Sequence, residues 1–113
     1  MLVLKTHEAH DPNACELTIR GGRKVLIDKT DYEFLSQLRW FPLRSSSSIY
    51  VVTRKIRKGK AYTIRMHRLL IDAPAHMKVH HINHNTFDNR RSNLRQITER
   101  EHRHFDGWHI FNR

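Results

Sequence analysis

The chain has 113 residues, enough for one compact domain, and 38% of them are hydrophobic, which predicts a small core. Lys and Arg number 21 against 11 Asp and Glu, so the formal net charge is +10. A charge of this size favours a polyanionic partner, nucleic acid above all. The alternative is a basic protein whose charge serves only solubility. The single cysteine, Cys15, excludes an intramolecular disulfide and a cysteine-rich zinc knuckle.

The hydrophobic segments are too short for a transmembrane helix or for a secretory signal at the N-terminus. We therefore expect the protein to act in a reducing intracellular setting, the cytoplasm, without a membrane partner.

A hairpin and a short helix are predicted in the N-terminal part. In residues 15–28, apolar and polar residues alternate on both sides of a Gly-Gly pair, which is typical of two antiparallel strands and their turn. Residues 29–40 have apolar residues at mixed helical spacing, which predicts a helix of about two turns capped by Thr30 or Asp31.

A second, strongly basic hairpin is predicted after a serine loop at 45–48. Its strands lie near 49–56 and 61–66, and Gly59 belongs to the turn. The cations around this turn are predicted to contact a DNA backbone, and the alternative is a solvated turn. They are Arg54, Lys55, Arg57, Lys58 and Lys60.

The C-terminal part is predicted to contain a short helix that ends before Pro74, then two short strands separated by a polar loop. The strands are the stretches "KVHHI" and "LRQI". Thr98 and Glu101 have the spacing of a capping box, so a terminal helix is expected to begin there, with His102 in its first turns.

Eight of the ten histidines lie between His67 and His109. If the terminal helix folds back across the two strands, His102 faces the end of the strand that carries His80 and His81. Two imidazoles can then hold one divalent cation, while a third remains able to take a proton from water. The alternative is a polar, basic surface that happens to be rich in histidine.

The stretch "HHIN", followed by "DNRRSNLR", is similar to the motif of the HNH nucleases. The longer segment "YTIRMHRLLIDAPAHMKVHHINHNTFDNRRSNLRQIT" resembles the HNH endonucleases of phages and group I introns, the homing type. The resemblance extends over about residues 23–106. It implies an α+β fold in which N-terminal antiparallel hairpins and a short helix (1–66) precede a ββα-metal motif (67–113).

The resemblance also implies a role for each motif position. His80 matches a metal ligand that is usually Asp in the family, and His81 matches the general base. Asn93 matches the middle Asn, which orients the loop, and His102 matches the last metal ligand. Asp106 is a further candidate ligand. The nearby cations Arg90, Arg91 and Arg95 are predicted to clamp neighbouring phosphates of the DNA.

The expected protein is thus a phage-encoded, metal-dependent endonuclease that nicks double-stranded DNA in a bacterial host cell. Its cofactor is one divalent ion, Mn, Ni, Mg or Zn; imidazole in place of the usual carboxylate favours the transition ions over Mg. Monomer and dimer both remain open. The alternative is a non-catalytic DNA-binding module with structural histidines.

Overall fold

The computed structural model describes residues 11–46, 48–98 and 100–101. These residues form a mixed α+β fold in which the strands pair antiparallel in three small sheets. No helix in these ranges has the length and apolar character that a membrane span requires. The elements are β1 (Ala14–Thr18), β2 (Lys24–Asp28), α1 (Lys29–Leu35), β3 (Phe41–Ser45), β4 (Ser48–Arg57), β5 (Lys60–Arg65), α2 (Met66–Ile71), β6 (Met77–His81) and β7 (Leu94–Thr98).

The predicted first hairpin is confirmed as β1 and β2. Leu17 lies opposite Val25, and both side chains are buried. Gly21 and Gly22 in the turn have φ values of 86° and 82°, a backbone conformation that glycine adopts without a steric cost. The alternation of apolar and polar residues was therefore a sound guide to which side chains enter the core.

The predicted short helix is confirmed as α1, but its predicted caps are wrong. The helix begins at Lys29, so Thr30 and Asp31 lie inside its first turn, and Asp28 is the N-cap residue without a side-chain capping bond. The Asp31 carboxylate instead binds the guanidinium of Arg91. The Asp31 carboxylate therefore binds Arg91 and does not cap the helix.

The second sheet has the strand order β3–β4–β5. The predicted basic hairpin is confirmed as β4 and β5, whose turn places Lys58 and Gly59 at φ 53° and 77°, the signs of a type I′ turn. The strand β3 was not predicted. The expected serine loop is shorter than predicted, because Ser45 pairs with Ser48 and both belong to strands.

One hydrophobic core is shared by elements from both sides of residue 66. Trp40 lies in it, and its indole nitrogen donates a hydrogen bond of 2.8 Å to the Leu35 carbonyl. The core includes residues of β1, β2, β4, β6 and β7, so the basic sheet, through β4, and the β6–β7 pair share one core. The cluster comprises Leu17, Ile19, Val25, Ile27, Leu35, Trp40, Val51, Met66, Leu70, Val79 and Leu94.

The loop between β6 and β7 is held against β2 by backbone hydrogen bonds. The Leu26 amide donates to the Phe87 carbonyl at 2.8 Å, and the Asn89 amide donates to the Leu26 carbonyl at 2.7 Å. The Thr86 hydroxyl also donates to the Ile49 carbonyl on β4. This loop is therefore positioned by the N-terminal hairpin as well as by its own two strands.

Candidate active site

The adjacent histidines His80 and His81 leave β6 on opposite faces, as expected for neighbours in a strand. Val79 and His81 are buried on one face, whereas His80 is half-buried on the other. The His80 ring approaches the His84 ring edge-on, with 5.6 Å between ring centroids. His81 is the last residue of β6, so the His81 ring lies where the strand ends and the polar loop begins.

Asn89 fixes the His81 ring. The His81 Nε2 atom lies 2.7 Å from the Asn89 Oδ1 atom, and a carbonyl oxygen only accepts hydrogen bonds. Nε2 therefore carries the proton, and Nδ1 keeps its lone pair. The Asn89 side chain is itself fixed, because its Nδ2 donates to the Met66 sulfur at 3.3 Å and its exposure is 1%.

The contact of Asn89 with His81 was not predicted from the sequence. The type of residue 89 and its place in a polar loop were visible, but the same loop also contains Asn83 and Asn85. Only the fold of the loop selects which amide meets His81.

Burial lowers the pKa of two neighbouring imidazoles, those of His81 and His67, and so keeps them neutral. His81 is 6% exposed, and this desolvation lowers its pKa, although the Asn89 hydrogen bond and the Asp88 charge act in the opposite direction. The His67 ring on α2 lies 4.7 Å from the His81 ring and stacks on Tyr50. Burial, followed by electrostatic interactions with His81 and two arginines, lowers the pKa of His67 to about 3.

Asn93 braces the loop at three points. Its Oδ1 accepts from the Asn83 amide at 3.0 Å, and its Nδ2 donates to the Asn83 Oδ1 at 2.9 Å and to the Asp88 carbonyl at 2.8 Å. The start and the end of the loop are thereby tied to the residue before β7. This geometry suits the orienting role expected for Asn93, while its part in catalysis stays a prediction.

Arg90 is engaged by two carboxylates of the chain. It binds the buried Asp88 through Nε and NH2, at 2.9 and 2.8 Å, and binds Asp11 through NH1 at 3.0 Å. Burial raises the pKa of Asp88, but the hydrogen bonds from Arg90 and Asn83 outweigh it and lower that pKa, so the carboxylate stays ionised.

Arg91 connects three elements. Its guanidinium makes two bonds to Asp31 of α1, at 3.0 and 2.9 Å, and one of 2.8 Å to the Leu70 carbonyl of α2. Arg90 and Arg91 were predicted to contact DNA phosphates, and the structure shows that both also bind groups of the chain itself. Arg95 is exposed on β7, opposite His80. The phosphate contacts of all three arginines remain predictions.

The segment that carries His81, Asn89 and Asn93 is similar to known nuclease sequences. Residues 72–104 match the HNH endonuclease family model. The match supports the HNH nuclease family expected from the sequence, and it indicates nuclease activity on a nucleic acid. No curated protein and no solved structure matches the chain. The phage and homing type stays a prediction.

HNH nucleases generally use a divalent metal ion, and the described part of this HNH segment contains one member of the expected ligand set, His80. Within the described ranges, no group of three or more His, Cys, Asp or Glu could hold a metal ion. His102 and Asp106 lie outside the described residues. The capping box that precedes His102 is confirmed, since the Thr98 amide donates to Glu101 at 2.8 Å and the Glu101 amide donates to the Thr98 hydroxyl at 3.1 Å.

The basic cluster upstream of the HNH segment is exposed as expected. Arg54 and Lys55 leave β4 on opposite faces, so the hairpin presents cations on both sides. The Arg54 guanidinium lies over the Phe41 ring, 5.6 Å from its centroid. The exposed members of the cluster are Arg54, Lys55, Arg57, Lys58 and Lys60.

Proposed function

We propose that the protein is a metal-dependent DNA endonuclease that hydrolyses one phosphodiester bond per binding event, with His81 as the general base. The observation that carries the proposal is the bond between the His81 Nε2 and Asn89. It supports a neutral imidazole with a defined tautomer, which is the form that a general base requires. The HNH family match supports the same reaction class.

The chain's own residues would act as follows. His81 Nδ1 takes a proton from a water molecule that attacks the phosphorus in line. The bond to the 3′ oxygen breaks and that oxygen takes a proton from solvent, which leaves a 5′-phosphate and a 3′-hydroxyl. Asn89 holds the ring in the required tautomer, and Asn93 holds the loop that carries Asn89.

The proposed metal ligands are His80, His102 and Asp106. These residues would hold a divalent cation, and the chemistry that it would supply when bound is stabilisation of the negative charge on the phosphate oxygens. His80 presents a nitrogen ligand where related motifs present a carboxylate, and nitrogen ligands favour Mn, Ni or Zn over Mg.

The basic hairpin and Arg95 would bind the DNA backbone on either side of the cut. The proposal includes double-stranded DNA as the substrate and action in the cytoplasm of a bacterium that a phage has infected.

A non-catalytic DNA-binding module is the second candidate. The observation that favours it is the burial of His81, which is 6% exposed and packs against His67. In that case both rings are core residues, and the charge of the protein serves binding alone.

A plasmid assay separates the two functions. Supercoiled plasmid incubated with the protein and each divalent ion is expected to become nicked circle, and a chelator is expected to stop the reaction. His81→Ala should lower the nicking rate by about 10²–10⁴-fold, because the base contributes a factor of this order. His76→Ala, which changes an exposed histidine just before β6, is the matched control. Nicking by His81→Ala at the wild-type rate contradicts the proposal, and DNA binding without any cutting favours the module.

The same assay, repeated with different divalent metal ions, tests the proposal that His80 is a metal ligand. Mn or Ni is expected to support faster nicking than Mg at equal concentration. Equal or faster nicking with Mg alone contradicts a ligand set that is mainly imidazole.

A further inference from the structure

A cleft of about 750 Å³ lies upstream of the HNH segment, between β1, the end of α1 and the β3–β4 pair. Its volume is within the range of about 300–1,000 Å³ that is usual for ligand sites. The buried Leu17 and Trp40 belong to its lining. The Trp40 indole donates a hydrogen bond to the Leu35 carbonyl, which fixes the orientation of this ring in the cleft wall.

Flat groups line the cleft. Tyr32 projects from α1 with 46% of its surface exposed. The half-buried Phe41 ring has two guanidinium carbons near it, those of Arg20 and Arg54, each 5.6 Å from the ring centroid. Aromatic rings and guanidinium planes are the groups on which unstacked nucleobases pack in proteins.

The cleft is also positively charged. Arg20, Arg39 and Arg54 line it and are exposed, against one lining carboxylate, Glu16. The ion pairs between described residues engage Arg90 and Arg91, and none of the three cleft arginines pairs with a described carboxylate. Their donors are therefore available to phosphate oxygens, which guanidinium groups bind in pairs of hydrogen bonds.

We propose that this cleft binds an unpaired nucleobase together with the phosphates beside it, and so takes a single-stranded segment of the nucleic acid. The choice of nucleic acid rests on the proposed function. The choice of single strand rests on Tyr32 and Phe41, because a duplex hides the faces of its bases and exposes only their edges in the grooves. The cleft lies outside residues 72–104, so it is a binding site additional to the HNH segment.

Fluorescence anisotropy with a labelled thymidine oligonucleotide of about eight nucleotides tests this, with chelator present so that no cutting occurs. Tyr32→Ala is expected to weaken binding of the single strand by about 5–100-fold, since base stacking on one ring contributes that much. Phe34→Ala is the matched control, because Phe34 lies on the same helix, is 51% exposed and does not line the cleft. Phe34→Ala should leave the affinity unchanged.

The arginines are tested by the salt dependence of the same binding. Arg20→Gln with Arg39→Gln should reduce the slope of log affinity against log salt by about 1.4, because each phosphate contact on a single strand contributes about 0.7. Arg44→Gln, an exposed arginine of β3 outside the cleft, should not change the slope.

Equal effects of Tyr32→Ala and Phe34→Ala overturn the proposal, as does an unchanged salt slope in the double variant. Displacement of the oligonucleotide by thymidine monophosphate at equal concentration assigns the cleft to a free nucleotide and also overturns it. A protein that nicks plasmid while Tyr32→Ala binds single strands normally refutes the cleft assignment alone. A protein that binds single strands through Tyr32 without cutting plasmid refutes the nuclease alone.

Discussion

The contact between Asn89 and His81 fixes the tautomer of an imidazole that we propose to be the general base. A carboxylate at Asn89 would hold the ring equally well, but its negative charge would favour the protonated imidazole. The neutral amide oxygen holds the same Nε2–H without that charge. His81 thus keeps a defined tautomer, and its lowered pKa keeps the ring neutral at neutral pH, which is the protonation state that the proposed base requires.

Removal of this amide is expected to lower the reaction rate without removing the base itself. Asn89→Leu leaves the His81 Nε2–H without its acceptor, so both neutral tautomers become populated. We expect nicking to slow by about 10–100-fold, the usual effect of losing a side chain that orients a reactive group. Nitrogen NMR of the His81 ring would report the tautomer, and DNA binding by the same variant would be measured as the control. A variant with the wild-type tautomer and the wild-type rate would refute the role of Asn89.

At the scale of elements, Arg91 connects the β6–β7 pair to both helices. Its three guanidinium bonds go to α1 and α2, and its backbone amide donates to Asp28 at the end of β2. Arg91 follows directly after Arg90, whose bonds hold the polar loop in place. Arg90 therefore stabilises the loop, whereas Arg91 joins the β6–β7 pair to the two helices.

We expect Arg91→Ala to destabilise the protein by about 1–3 kcal/mol, because Asp31 is buried and would lose two charge-assisted hydrogen bonds. Arg44→Ala, at an exposed position of β3, is the matched control and should cost less than about 0.5 kcal/mol. Urea unfolding followed by circular dichroism measures both. Equal losses in the two variants would mean that the Arg91 bonds add nothing to stability.

Local patterns predicted most of these elements. The two hairpins depended on alternation and on glycine turns, and the capping box at Thr98 depended on two side chains three residues apart. The strand β3 was missed because a proline and four serines obscured its alternation. The helix caps were wrong because Asp31 is claimed by Arg91, which is 60 residues away in the chain.

The site was predictable only in part, for the same physical reason. The motif indicated His81 and Asn93, whose positions are set by short-range spacing. Asn89 and the partners of Arg90 depend on how the loop folds, and Asp11 meets Arg90 across 79 residues of chain. Such contacts depend on the tertiary structure, so they could not be predicted from residue spacing in a single sequence.

For the whole molecule, two neutral imidazoles in the interior make stability depend on pH. The pKa of His67 falls to about 3 on folding, from an ordinary value of 6.5, and the pKa of His81 also falls. Below about pH 6.5 the unfolded chain binds more protons than the folded chain, so acid favours unfolding. The stability that depends on neutral His67 and His81 is fully present above about pH 6.5 and is lost progressively as the pH drops towards about 3.

His67 alone is expected to remove about 2 kcal/mol of the free energy of unfolding between about pH 7 and pH 5. His67→Phe keeps a ring at the position but cannot be protonated, so its stability should change less over this interval. Urea unfolding at both pH values measures the difference, with His76→Phe as an exposed control. An equal pH dependence in wild type and His67→Phe would show that His67 is not the group responsible.

The hydrogen bonds between Leu26 and the loop residues Phe87 and Asn89 limit how far the motif can be treated as a portable unit. The asparagine that orients His81 is hydrogen-bonded through its backbone to β2, a strand that ends more than forty residues before the matched segment begins. A chimaera that exchanged only residues 72–104 would place a foreign loop against this chain's β2, whose Leu26 carbonyl accepts the Asn89 amide in the intact protein. The pairing between the loop and β2 is expected to survive such an exchange if the first hairpin is transferred together with residues 72–104.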